Sequence, residues 1–111
     1  MTGEEFARLC YKEKESVVEE YFDEASECET AVILRRLIQG GANRNELYEL
    51  VDKLLSENYY RLLLALDGEA SLAGVQQCYK LYGEDGVLLN ECGELEAGAY
   101  ELFFGYEKTK E

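Results

Sequence analysis

The sequence contains no histidine, no proline and no tryptophan. Histidine is the commonest general base and the commonest ligand for transition metals, so its absence excludes Ser-His and Cys-His nucleophilic catalysis. An enzyme would have to use carboxylates, tyrosine or lysine. Adjacent acids such as Glu19 and Glu20 do not converge on one substrate atom, because neighbouring residues on a helix point about 100° apart. We therefore predict no catalytic residue and no cofactor.

Long apolar runs are also missing. The first fifteen residues contain no apolar stretch, and no segment approaches the roughly twenty apolar residues that a membrane span needs. We expect a soluble, cytoplasmic protein with no membrane partner. The length of 111 residues suits one domain, and nine tyrosines and four phenylalanines are too much apolar surface for a disordered chain. We predict a single domain over 1–111 with a polar tail at 108–111.

Motifs for metal or phosphate binding are absent as well. The four cysteines, at positions 10, 28, 78 and 92, form no C-x-x-C pair, which is poor spacing for zinc and favours free thiols. The Gly-Glu-Asp-Gly sequence at 83–86 lacks the alternating oxygen ligands of a calcium loop, and no glycine-rich loop precedes Lys-Ser or Lys-Thr. We predict no metal site.

Helix signals divide the first two thirds of the chain. Thr2 with Glu5 forms a capping box, which predicts a helix running to about residue 27. Ser26 with Glu29 predicts a second helix, ended by Gly40 and Gly41, and Asn43 with Glu46 predicts a third, ended by Gly68. The third helix has apolar residues at three- and four-residue spacing, and we expect it at the centre of the core: Leu47, Leu50, Val51, Leu54, Leu55, Leu62, Ala65 and Leu66.

The last third predicts a different structure. Two β-prone runs, at about 75–82 and 87–91, flank a glycine-rich turn and predict a β-hairpin. Leu95, Ala99, Leu102, Phe103 and Tyr106 then recur at helical spacing. The predicted fold class is therefore α+β, mainly helical, with three N-terminal helices, a hairpin and a C-terminal helix.

Charge is distributed unevenly along the chain. The formal net charge is −13. Residues 11–30 hold eight acids and two lysines, residues 81–107 hold seven acids and no lysine or arginine, and the remaining residues balance. Such a field favours cationic partners and repels nucleic acid. On the first predicted helix, acids recur at a four-residue spacing, where each pair repels by about 0.2–0.5 kcal/mol.

We interpret the two acidic segments as a surface that binds a basic protein, with tyrosines as buried anchors. The predicted contact residues are Glu15, Glu19, Asp23, Glu27, Tyr79, Tyr82, Glu84, Asp85, Glu91, Glu94 and Glu96. In size and charge alone the chain is similar to small acidic immunity proteins, antitoxins and inhibitors. That likeness implies a nuclease or toxin as the partner.

Three alternatives stay open. The acidic residues are also explained by ordinary solubility, because charge runs usually form solvated faces. A small-molecule or metal-binding domain would use carboxylates and tyrosines in a pocket between the hairpin and the third helix. A structural or chaperone subunit would bury an apolar patch in a homodimer.

Overall fold

A computed structural model describes residues 1–105, and these residues are mainly helical. They form α1 (Gly3–Tyr21), α2 (Glu29–Gln39), α3 (Arg44–Leu66) and α4 (Glu94–Tyr100). A 3₁₀ turn, Glu91–Gly93, leads into α4, and a π-helical turn, Glu101–Gly105, follows it. No strand is present in this part of the chain, so the predicted α+β class is wrong. Tyr106 and the predicted polar tail lie outside the described residues.

Two of the three predicted helix starts are confirmed by their caps. The Thr2 hydroxyl accepts from the Glu5 amide at 3.1 Å, and the Glu5 carboxylate accepts from the Thr2 amide at 2.9 Å. Asn43 accepts from the Glu46 amide at 3.0 Å. Ser26 does not cap α2, because its hydroxyl accepts instead from the Cys28 amide, two residues along the chain. The α2 helix starts at Glu29 without a side-chain cap.

The first helix ends earlier than its sequence pattern predicts. Its last residue is Tyr21, so Asp23 and Glu27 lie in the connection to α2 and not on α1. Asp23 accepts from the Ala25 amide at 2.9 Å, and this turn competes with another turn of helix. Arg35 fixes the connection by donating to the carbonyls of Asp23, at 2.9 Å, and Ser26, at 2.6 Å.

Three helices enclose the core. The α4 helix runs parallel to α1, since the Gly3 amide lies 3.4 Å from Glu94 Oε2 at one end and the Tyr11 and Phe103 rings are 5.3 Å apart further on. The α3 helix runs antiparallel to α1. Gly98 lets α1 and α4 approach, because a Cβ there would lie 3.1 Å from Ala7 Cβ. One cluster of buried core residues comes from these three helices and the π-helical turn: Ala7, Leu63, Leu95, Ala99 and Phe103.

The predicted hairpin is replaced by an irregular loop. Residues 67–90 contain two isolated antiparallel bridges, one of them between Tyr82 and Leu88, but these do not extend into strands. Asn90 explains the difference, because its side chain accepts from the Leu81 amide at 2.9 Å and donates to the Tyr79 carbonyl at 2.7 Å. It also donates to the Leu66 carbonyl at the end of α3, at 3.1 Å. Backbone groups that a second strand would pair are thus bound by one side chain.

The third helix has two apolar faces, and only one of them belongs to the core. Leu63 is buried, and Tyr59 and Tyr60 pack beside it. Leu50 and Leu54 are each 54% exposed and Leu62 is 45% exposed. The expectation that the whole apolar set lies in the core was therefore wrong for these three leucines.

Lys14 is a buried charge that the sequence pattern does not predict. Only 3% of the residue is exposed, and its ammonium lies 2.7 Å from Asp52 Oδ1 on α3 and 3.6 Å from Glu15 Oε2. The ammonium also lies 4.7 Å from the centre of the Tyr11 ring. Buried charges of this kind are kept by a specific partner, and here the pair joins α1 to α3.

Candidate protein-binding surface

The predicted contact residues of the two acidic segments lie at different ends of α1. Residues 81–96 adjoin its start, because Glu94 accepts from the Gly3 amide and a Cβ on Gly3 would overlap the Leu89 carbonyl. Glu19 lies sixteen residues further along, about 24 Å at 1.5 Å per residue. The eleven predicted contact residues therefore do not form one continuous face.

The end of α1, its connection to α2 and the start of α2 form an acidic corner. We define it by six exposed acids: Glu19, Glu20, Asp23, Glu24, Glu27 and Glu29. No lysine or arginine occurs between Lys14 and Arg35. None of the six carboxylates forms an ion pair with a described lysine or arginine. Glu15 borders the corner and is half-exposed, but its carboxylate lies beside Lys14.

The end of α1 adds to the negative field near Glu19 and Glu20, whereas the start of α2 carries a partial positive charge beside Glu29. The carbonyl end of a helix carries a partial negative charge, and cations there stabilise it while acids destabilise it. The last turn of α1 contains no basic residue, and it carries Glu19 and Glu20. The nearby Arg35 guanidinium binds backbone carbonyls of the connection. With six acids beside Arg35 and Arg44, the corner keeps an excess of negative charge.

Apolar groups lie directly beside the acidic corner. A surface cavity of about 320 Å³ is walled by Tyr21, Phe22, Leu34 and Ile38 and flanked by charged groups including Arg35. On the outer side of α2, Val32, Ile33 and Leu37 are 44–46% exposed. A surface that combines acids with aliphatic groups can hold the lysine or arginine side chains of a partner together with its apolar anchors.

Several acids of the second segment have contacts within the fold. Asp85 accepts from the Val87 amide at 3.1 Å and closes the turn at 83–86. Glu94 accepts from the first amide of α1. The Glu96 amide donates to Asp67 Oδ2 at 2.9 Å, so the carboxylate at the end of α3 caps α4. Asp85 and Glu94 thus have structural roles that neutralisation would disturb.

The other predicted contact residues of this segment are scattered over the loop. Glu84 and Glu91 are exposed, and Tyr82 is 54% exposed at its bridge with Leu88. Tyr79 is half-buried and lies in a cavity of about 610 Å³ that Glu96 also lines. Burial raises the pKa of Tyr59 and Tyr60 above the ordinary 10.0, but both rings pack in the core region and neither lines this cavity.

Comparisons with known proteins do not assign this surface. No protein-family model, no curated protein and no solved structure matches the chain. Within residues 1–105, no helix is long and apolar enough to cross a membrane. In the same residues, no three His, Cys, Asp or Glu side chains are grouped so that they could hold a metal ion.

Sequence reasoning missed the apolar part of the corner. The sequence predicts a helix here but does not establish which of its apolar residues form the inner face. Ala31 and Leu34 fill that inner face and are buried, which leaves Val32, Ile33 and Leu37 outside. The number of apolar residues on α2 could have indicated an exposed apolar face, because an 11-residue helix with one face packed against the fold needs fewer apolar residues.

Proposed function

We propose that the chain is a non-catalytic protein-binding domain that engages a basic protein through the acidic corner. The observation that carries this proposal is the group of six exposed carboxylates between the end of α1 and the start of α2, none of which forms an ion pair with a lysine or arginine that the structure describes. The mutual repulsion of the six acids, and the position of Glu19 and Glu20 in the last turn of α1, lower stability, and binding of a cationic surface would relieve both. An inhibitor, immunity protein or antitoxin is the class that fits.

The proposed contact surface is smaller than the sequence suggested. Glu19, Asp23 and Glu27 remain in it, and Glu15 borders it. Tyr79, Tyr82 and the predicted acids at 84–96 are left out because this part of the chain lies beside the start of α1. The anchors become Val32, Ile33 and Leu37 on α2. Acids around aliphatic anchors give fast, salt-sensitive association together with a desolvated centre. A cytoplasmic location stays a prediction from the sequence.

Two sets of substitutions with equal charge test the proposal. The corner variant carries Glu19→Gln, Glu20→Gln, Glu24→Gln and Glu27→Gln. The matched control variant carries the same change at four exposed acids elsewhere: Glu69, Glu84, Glu91 and Glu101. Each set removes four negative charges from the same total, so only the position of the charge differs between them.

The measurement is capture of basic proteins from an extract, followed by binding kinetics with each purified candidate. We expect the wild-type chain and the control variant to retain the same basic protein at low salt, and we expect the corner variant not to retain it. Its association rate with the corner variant should fall by about tenfold or more, because steering depends on the local field. Equal retention by the corner and control variants would show that the corner is only a solvated surface.

A further inference from the structure

The second apolar face of α3 is only partly covered within the described fold, where Leu47, Val51 and Leu55 are partly buried. It consists of Leu47, Leu50, Val51, Leu54, Leu55 and Leu62, which we call the outer stripe. Its members recur at three-, four- and seven-residue spacing, so they follow one side of the helix over fifteen residues, about 22 Å. Three of them are about half exposed. Apolar helix faces of this extent are typical of partner-binding surfaces.

The far end of the outer stripe opens into a groove. Leu55 and Leu62 form one side of it, Leu72 and Ala73 of the following loop form the other, and its volume is about 780 Å³. Polar side chains of Asn58, Arg61 and Ser71 also line the groove. Leu72 is itself 47% exposed. A groove with mixed apolar and polar walls at the end of an apolar stripe can hold side chains of an incoming helix, which meet such a surface as anchors spaced by three and four residues.

The near end of the outer stripe adjoins the acidic corner. Phe22, which follows α1, lies 5.0 Å from the Tyr48 ring and 5.3 Å from the Arg44 guanidinium at the start of α3. Charges beside the stripe on α3 itself nearly balance, so the strong field comes from the corner. A segment lying along the stripe therefore meets apolar groups over its length and, at one end, Arg44 followed by the carboxylates of the corner.

We infer that the outer stripe and its groove bind an amphipathic helix of the basic partner, with the basic end of that helix over the acidic corner. The inference rests on the proposed function and adds the secondary structure and polarity of the segment that binds. A second copy of this chain fits less well, because it would bring two net charges of −13 together.

The test uses the whole chain and a synthetic helical peptide. In the peptide, leucines form one face and lysines the other, with extra lysines at one end; a second peptide has glutamate at every lysine position. We expect the lysine peptide to bind and the glutamate peptide not to bind by titration calorimetry. Shifts of leucine methyl resonances in the wild-type chain should include Leu50, Leu54 and Leu62.

Paired variants locate the binding. Leu50→Gln with Leu54→Gln should weaken binding by at least about tenfold, because two apolar contacts are lost. Leu9→Gln with Val87→Gln, at residues of similar exposure on other surfaces, should leave it within about twofold. Circular dichroism of each variant confirms that the helices remain. Unchanged binding by the Leu50 and Leu54 variant, or methyl shifts elsewhere, would overturn the inference.

The two proposals fail in different ways. If the corner variant loses binding but the Leu50 and Leu54 substitutions have no effect, the proposed function stands and the outer stripe is not part of the contact surface. If binding depends on Leu50 and Leu54 but not on the corner acids, the proposed function is wrong, and so is the basic charge inferred for the bound helix. A dimer in light scattering that the Leu50 and Leu54 changes dissociate would show that a second copy covers the stripe.

Discussion

Replacing Asp52 by asparagine tests the energetics of the buried Lys14. The change keeps the size of the side chain but removes the charge that lies 2.7 Å from the ammonium, leaving only Glu15 at 3.6 Å. Losing one partner of a fully buried pair costs about 3–5 kcal/mol. Because the Asp52 side chain is 31% exposed and Glu15 remains, we expect a smaller loss, about 2 kcal/mol.

Urea unfolding followed by circular dichroism measures this loss. In a domain of this size, about 2 kcal/mol also lowers the midpoint of thermal unfolding by roughly 8 °C. Glu57→Gln, at an exposed residue of the same helix, is the control and should change stability by less than about 0.5 kcal/mol. Adding Lys14→Met to Asp52→Asn should restore part of the loss, because no uncompensated ammonium is then buried. A cost for Asp52→Asn as small as that of the control would refute the reasoning.

Two further predictions concern the loop and the tyrosines beside the core. Asn90→Ala removes three hydrogen bonds and should cost about 2–3 kcal/mol, with faster hydrogen exchange at the Leu81 amide; unchanged exchange there would contradict the role given to Asn90. Burial raises the pKa of Tyr59 and Tyr60, so the fold favours their neutral forms. The resulting stabilisation is complete below the ordinary pKa of 10.0 and is lost as the pH rises through the raised pKa values. Urea unfolding at alkaline pH should therefore show a smaller decline for the Tyr59→Phe, Tyr60→Phe double variant than for the wild-type chain, and equal declines would contradict this.

Local signals in the sequence predicted the helices better than they predicted the loop. The caps at Thr2 and Asn43 depend on residues three apart, so their geometry is readable from the sequence alone. Ser26 shows the limit of that reasoning, because its hydroxyl had a nearer amide to bind. The hairpin was predicted from β-prone runs, but Asn90 and the end of α3 bind the backbone groups that strand pairing needs.

Which residues form the candidate surface depends on how the helices pack, and the periodicity of apolar residues does not reveal that packing. Apolar spacing identifies the leucines of α3 but cannot say which of two faces meets α1 and α4. The predicted four-residue spacing of acids on α1 was wrong beyond Tyr21, because the helix ends there and Asp23 and Glu27 lie in the following connection. Lys14 was unpredictable because its partner, Asp52, lies on another helix 38 residues away.

The parallel pairing of α1 with α4 affects the order in which the chain can fold. The core joins Ala7 to Leu95, Ala99 and Phe103, so contacts of very high sequence separation complete it. Closing so long a segment costs entropy before those contacts form, and folding slows accordingly. During synthesis, α1 and α3 leave the ribosome first and expose the apolar surface that α4 later covers. A ribosome stalled before residue 94 should therefore hold a chain that is prone to aggregation and open to chaperones.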